Sequence, residues 1–377
     1  MWKFVMPGIA MIGVTYAFAR FSFGLFLPQI SSTLNLTESL AGSISSVAFL
    51  SYTVALITSS FLIQKWGSLR VIQFAGMSAV LGLLGIAFSN GYYMLLFSSF
   101  VAGLGSGWSS PVYAQVAITH LKELDRDRGN TWMNTGTSFG LILSGPIALL
   151  FTEHWRLSYL LFAAIAFVVL VWNTKVIPKE GKSSSKRENI QWFSLLKRAK
   201  LMLLASFIVG LSSSFFWTFS RSFLAVEYQM SNFESVFFWV LMGVSGIIGG
   251  LAGGFISKGG IELSFRVTLL LMSTALLLIT IPGAVTIYSS SVLFGITYIC
   301  MTGILIVWST RIFPDRPSIG VSLSFFLLGI GQSLGSSIGG TVIEATSYPL
   351  GFIVFFLIGL LGMFVPFRNQ NIKEVSA

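Results

Sequence analysis

Two stretches far apart in the chain read alike: Tyr16-Ala17-Phe18-Ala19-Arg20 and Trp217-Thr218-Phe219-Ser220-Arg221. Each is an aromatic residue, a small one, Phe, a small one and then Arg. Each also lies inside a long apolar run, near 4–30 and near 200–225. Charge is expensive there: an arginine at a bilayer centre costs roughly 2.5–3.5 kcal/mol even on a lenient insertion scale. Taken alone such a match could be chance; with two further matches in the same order along the chain, it points to a duplicated membrane-embedded unit.

Further apolar stretches, each about 20 residues long as a bilayer crossing requires, follow at regular intervals. They run near 39–63, 70–89, 92–118, 129–152, 155–174, 234–257, 265–282, 285–313, 317–343 and 349–367. The expected fold is an all-α membrane protein with twelve transmembrane helices in two pseudo-symmetric six-helix bundles. The first bundle is expected over 1–174, a cytoplasmic linker over 175–199 and the second bundle over 200–377. Within the linker, Gly181-Lys182-Ser183-Ser184-Ser185-Lys186 reads as flexible chain and 190–196 as a short interfacial helix. Lys3 and Ala17-Phe18-Ala19 imitate a signal peptide, but the apolar run continues through Leu27 and further spans follow, so the helix is retained.

Composition agrees. Of 377 residues, 54% are hydrophobic and only 10% charged, against about 25% charged in soluble domains, too few to clothe a water-exposed surface. The 38 glycines suit helices packed closely in lipid. With one cysteine, Cys300, and two histidines, His120 and His154, neither a disulfide scaffold nor a Cys/His metal site is expected. There is no nucleotide loop, zinc motif or nucleophile paired with a base, so neither an enzyme nor a cofactor is expected.

The net charge of +10 follows topology. With both termini cytoplasmic, Lys3, Lys65, Arg70, Lys122, Arg126, Arg128, Lys258, Arg266, Arg311, Arg316, Arg368, Lys373 and the basic linker fall inside, leaving Arg156 outside, as the positive-inside rule requires. The partners expected are membrane lipids and a small-molecule substrate, with no nucleic acid, in a monomeric multi-pass protein of the cytoplasmic membrane. The repeat shows twice more: Gln64-Lys65-Trp66-Gly67 against Ser257-Lys258-Gly259-Gly260, and Asp127-Arg128 against Asp315-Arg316, each of the latter preceding a glycine-rich span.

These residues, with Leu27-Pro28, Gly103-Leu104-Gly105-Ser106-Gly107 and Gly140-Leu141-Ile142-Leu143-Ser144-Gly145-Pro146, resemble the major facilitator superfamily over essentially the whole chain. The stretch 20–28 resembles a bacterial subgroup of exporters and permeases. The arginine pair is similar to that of organophosphate–phosphate antiporters, where it grips phosphate. Three positions depart from the family pattern: Ser60 stands for glycine, Gln64 for aspartate and Ser99 for the span-four arginine. A weaker or differently made charge latch is implied. The resemblance implies gating roles for Lys65, Gly67, Lys258 and Gly260, and an antiporter-like bend at Gly140, Gly145 and Pro146. It also implies a cavity lined by spans 1, 2, 4, 5, 7, 8, 10 and 11.

Polar residues collect in those spans, among them Tyr52, Tyr113, Gln115, Asn130, Asn134, Tyr298 and Gln332, while spans 6, 9 and 12 are almost pure hydrocarbon. The candidate substrate-binding set is Arg20, Arg221, Tyr16, Trp217, Tyr113, Asn134, Tyr298 and Gln332, with Trp108, Trp132, Trp239 and Trp308 as further aromatics. Each polar residue has the alternative of bonding helix to helix, and each aromatic that of packing. Arg221 has the alternative of pairing with Glu227. A guanidinium suits carboxylate, sulfonate or phosphate, which it meets with two parallel hydrogen bonds. No acidic residue lies in the middle of a span, so coupling through exchange of anions, or through Glu227 or Glu344, is open. The function expected is secondary transport of a small organic anion by alternating access. An exporter of hydrophobic drugs or metabolites and a transport-inactive receptor or scaffold are the alternatives.

Overall fold

A computed structural model describes residues 1–152, 154–179, 192–250, 252–314 and 316–367, with the backbone alone at 127, 192–194 and 252–259. The linker run Gly181–Lys186, Asp315, Arg368 and Lys373 lie outside the described residues. Among the described residues helices joined by short turns are the only regular structure, without strands. The twelve rods are α1 (Trp2–Leu34), α2 (Glu38–Trp66), α3 (Ser68–Ala87), α4 (Tyr92–His120), α5 in two pieces (Arg126–Asn134 and Gly136–Leu150) and α6 (Trp155–Val176). They continue with α7 (Trp192–Glu227), α8 (Asn232–Gly249), α9 (Gly260–Leu278), α10 (Ala284–Ile312), α11 (Pro317–Ala345) and α12 (Tyr348–Leu361).

The local signals are orthodox. The Thr37 hydroxyl accepts from the Leu40 amide to start α2, and Ser231 with Glu234 forms a reciprocal capping box on α8, each satisfying an otherwise orphaned amide. Two boundaries differ from the sequence reading. The helix of span seven begins at Trp192, so the second part of the linker is the first turns of α7 and not a separate interfacial helix. Span five breaks at Thr135, between its polar first piece and its apolar second.

The first six helices pack among themselves, as do the last six. Matching contacts mark the two-fold relation. Phe18 of α1 stacks on Phe162 of α6 at 4.3 Å, and Phe215 of α7 on Phe355 of α12 at 4.4 Å. Gly67, after α2, has φ 80° and ψ 164°; Gly260, at the kink before α9, has φ 73° and ψ 169°. That region is open essentially to glycine alone, so the two sharp turns are one device used twice.

The bundles meet along α2–α11, α5–α8 and the crossing of α1 over α7. These contacts are close because glycines make them. A Cβ on Gly24 would strike the Trp217 carbonyl oxygen, one on Gly42 the Ser336 carbonyl and one on Gly340 the Glu38 carbonyl. The seams reach the end opposite the chain's N-terminus, here called the far end, and extend inward past mid-depth, where Gly246 lies on Ser138 and Gly329 on Thr53. Along them Ser45 meets Thr218 at 2.8 Å, Ser46 meets Ser333 at 2.9 Å and Trp239 donates to Ser144 at 3.3 Å. At the far end Tyr348 donates to Glu38 at 3.2 Å, and Glu344 accepts the Ser39 amide at 3.1 Å. The far end is sealed.

Candidate functional site

Near the middle of the helices, side chains of both bundles converge on Arg20. Its position follows from an irregular α1: Gly13–Phe21 forms a π-helical stretch between two α-helical ones. Wide turns of this kind are rare and often mark functional sites. They shift the register of the residues after them relative to an unbroken α-helix. Gly13 lies against the backbone of Gly136 and Gly140, and Thr15 bonds to both Met11 O and Ser109 Oγ, so the stretch is held between α4 and α5.

Arg20 is only 4% exposed. Its guanidinium lies 4.1 Å from the centre of the Tyr52 ring, 4.7 Å from Phe21, 4.9 Å from Phe49 and 5.5 Å from Tyr16. Its Nη2 donates at 2.6 Å to Oε1 of Gln332, on α11 of the other bundle. Gln332 passes a hydrogen bond on to the Tyr298 hydroxyl of α10 at 3.0 Å. Arg20 Nε is buried without a hydrogen-bond partner, and so is Trp217 Nε1. Trp217 closes the box, stacked on Phe21 at 4.2 Å and edge-on to Tyr298 at 5.2 Å. The rings offer negative faces to the cation, each worth about 0.5–2 kcal/mol. The cation has no acidic partner among the described residues, and a buried charge so placed is costly.

Of the residues singled out from sequence, Arg20, Tyr16, Trp217, Tyr298 and Gln332 come together here. Tyr16 also meets Ser110 of α4 at 2.8 Å. Trp239 touches the edge of Trp217 at 5.8 Å. The others stand apart. Tyr113 is fully buried within the first bundle, donating to Asn173 of α6 at 2.5 Å. Asn134 is exposed just before the break in α5 and bonds to the Asn130 carbonyl. Trp108 donates to Thr58, Trp132 packs on Trp2, and Trp308 stacks on Phe367.

Arg221 is not brought beside Arg20. The Phe18–Phe162 and Phe215–Phe355 stacks make Phe215 the counterpart of Phe18. Arg20 is then level with Trp217, and Arg221 lies about one helical turn nearer the far end. Buried to 1% exposure, Arg221 donates to the Leu25 carbonyl, to Gln29 at 3.0 Å, to Asn232 at 3.1 Å and, from Nε, to Ser235 at 3.2 Å. Gln29 donates to Asn232 at 3.0 Å. Glu227 is not among these partners. The guanidinium is engaged by neutral acceptors that tie α1 to α7 and α8.

The family-derived gating residues also have definite places. Lys65 is exposed beside Phe61 and Trp66, Gly140 packs on Gly13 and Ala17, and Gly145 on Val240 and Val236 across the α5–α8 seam. Pro146 lies within α5 on its exposed side. The Lys258 side chain lies outside the described residues. Ser99, at the family's arginine position, is buried with its hydroxyl unpartnered. Phe21, Phe49, Gln29, Asn232, Ser235 and Gly24 were not singled out from sequence. In a chain this rich in phenylalanine, the rings around Arg20 carry no distinguishing signal. The polar pair Gln29 and Asn232 at two span ends was the available hint.

Two six-helix bundles meeting at a buried mid-depth polar site, sealed at one end, define a secondary active transporter of small solutes. A sequence profile of the Major Facilitator Superfamily matches residues 9–318, and the chain belongs to that family. It is 26% identical to the transcription regulatory protein OpdE of Pseudomonas aeruginosa over 92% of this chain and 89% of that one. It is 23% identical to the purine ribonucleoside efflux pump NepI of Shigella dysenteriae over 89% of this chain and 88% of that one. With the hexuronate transporter of Bacillus subtilis it shares 25% identity over 94% and 90%. Among solved structures, a point mutant of the nucleoside transporter NupG superposes with a TM-score of 0.81 at 13% identity, covering 96% of this chain and 98% of that one. A D-xylose–proton symporter gives 0.77 at 14%, covering 97% and 98%.

Proposed function

We propose that this transporter carries a small organic anion with a flat apolar body, held by its acid group on Arg20. The observation that carries the reading is a buried arginine at the bundle junction with no carboxylate partner among the described residues. It is boxed by Tyr16, Phe21, Phe49, Tyr52 and Trp217, with its Nε still unpartnered. An anion would supply the missing charge, and the rings would hold its body. The protein lies in the cytoplasmic membrane with both termini inside, on the charge asymmetry of its loops. The far end is then the outer face, and the arrangement described above is the outward-sealed one. Arg221 acts at that seal and not on the substrate. With no carboxylate in mid-span, exchange of one anion for another is the favoured coupling.

The test is heat stability of the purified protein against a panel of aromatic carboxylates, sulfonates and phosphates beside lipophilic cations. Protection by anions, lost on Arg20→Lys, supports the reading. Protection by cations alone would make the protein an exporter of hydrophobic compounds. A receptor role is the second reading, favoured by the name of the OpdE relative. Anion binding to purified protein without flux in reconstituted vesicles would select it.

A further inference from the structure

The Arg20 site is not empty in this arrangement; the protein fills part of it with its own amide. Gln332 Oε1 accepts from Arg20 Nη2 at 2.6 Å, a distance an oxygen of a bound acid group would also keep. Gln332 has no exposed surface, and its Nε2 is fixed by the Tyr298 hydroxyl at 3.0 Å. Arg20 belongs to α1 and Gln332 to α11, so this hydrogen bond is also a bridge between the two bundles. It lies part-way along the seams: Gly329 against Thr53 and Gly246 against Ser138 are on its N-terminal side, and Ser45–Thr218 and Ser46–Ser333 carry the closure on toward the far end.

We propose that Gln332 is a built-in surrogate for one oxygen of the substrate's acid group: it occupies Nη2 of Arg20 when no substrate is bound, leaving Nε unpartnered, and must be displaced for an anion to bind with both of its oxygens. The inference rests on the assignment of Arg20 as the anion-holding residue. A carboxylate or phosphate outcompetes a neutral amide because its bonds to a guanidinium are charge-assisted on both sides and can be paired. The neutral bond is strong enough to keep a buried cation tolerable and weak enough to yield. Displacement has a mechanical consequence. As the anion takes Arg20, the α1–α11 bridge breaks and the bundles lose their mid-depth tie while both still contact the substrate. Binding and the freedom to rock are thereby the same event. A substrate with no strong acceptor leaves the bridge intact.

The experiment uses three substitutions in the full-length purified protein, with benzoate and phenyl phosphate as probes. Gln332→Ala removes the competitor, and a probe should bind about 3- to 10-fold more tightly, the range set by one modest net hydrogen bond. Gln332→Glu tethers a carboxylate to Arg20: probe binding should be lost, while the melting temperature without ligand rises by a few degrees. In an Arg20→Gln background that rise should vanish. If Gln332→Ala weakens probe binding as Arg20→Lys does, Gln332 is a direct ligand and the surrogate role is overturned. The surrogate role is equally overturned if Gln332→Glu binds probes normally or gives the same melting temperature with and without Arg20. Failure of the anion assignment looks different. Neither probe would then bind the unsubstituted protein, yet the melting temperatures of Gln332→Glu with and without Arg20 would still decide whether the bridge exists.

Discussion

At the scale of single residues, the two span arginines stand in different surroundings, and substitutions test whether they have different tasks. Replacing Arg20 with lysine keeps the charge but loses the planar fork. An anion would forfeit at least one charge-assisted bond, about 1.5–3 kcal/mol, or roughly 10- to 150-fold in affinity; isothermal titration or tracer binding would measure it. An unchanged half-saturation in a folded Arg20→Lys transporter would make the arginine structural. Arg221→Lys should leave equilibrium anion affinity in the sealed state nearly unaltered. A single ammonium cannot serve Leu25, Gln29, Asn232 and Ser235 together, so the seal weakens. The expected readout is greater accessibility of the far end to a membrane-impermeant thiol reagent, tested with a cysteine at Ser45, buried in the seam and not a partner of Arg221, in a Cys300→Ser background. Equal labelling with and without Arg221 would remove it from the gate.

At the scale of the helices, glycine decides where elements touch and where they turn. Gly24 lets α1 lie on the backbone of α7 at Trp217, where any Cβ meets a carbonyl oxygen that cannot move aside. Gly24→Val should therefore disfavour the sealed arrangement far more than it harms either bundle. Its signature is increased far-end labelling with retained helical content by circular dichroism; unchanged labelling would mean that the crossing is not part of the seal. The turn glycines act differently. Among the described residues nothing lies within 4 Å of a Cβ on Gly260, so the loss expected for Gly260→Ala is that of its backbone angles, about 1–3 kcal/mol. Gly67→Ala carries the same backbone cost, since its angles match, at a position that is buried where Gly260 is exposed. Thermal unfolding of the two variants compares them directly, and a negligible loss in both would show that the chain relaxes these turns without cost.

At the scale of the whole molecule, sealing at one end implies a second arrangement sealed at the other, reached by rocking one bundle against its partner. Ser46 and Ser333 approach at 2.9 Å across the α2–α11 seam. In a Cys300→Ser background, cysteines at these two positions should cross-link readily and, once linked, stop transport. Reduction should restore it. Full transport by the linked protein would show that the seam does not open. Orientation is tested independently by reporters fused after Lys182, at Ala377 and after Thr37. The first two should report cytoplasm and the third the opposite side; a cytoplasmic signal at Thr37 would overturn the span count.

The sequence alone determined the fold, the repeat and the presence of an expensive charge in a span. These are written in the length and spacing of apolar runs, in basic residues at the loops, and in glycines at fixed offsets, each a local quantity. Arg20 was legible because arginine in a span needs a reason, and Gln332, Tyr298, Tyr16 and Trp217 because polar or amphipathic groups in lipid need partners. Which of them meet was not legible. The apparent match of Arg20 with Arg221 lies about one helical turn out of structural register, since the π-helical stretch in α1 and the depth of α7 enter only when helices pack. Tyr113 and Asn134 looked like site residues on composition, but their directions depend on helix rotation, and one points into its own bundle while the other lies exposed beside the break in α5. Tertiary structure decided that one arginine lies in an aromatic box and the other in a seal, because a side chain's partner across two bundles is fixed by packing between segments far apart in the chain.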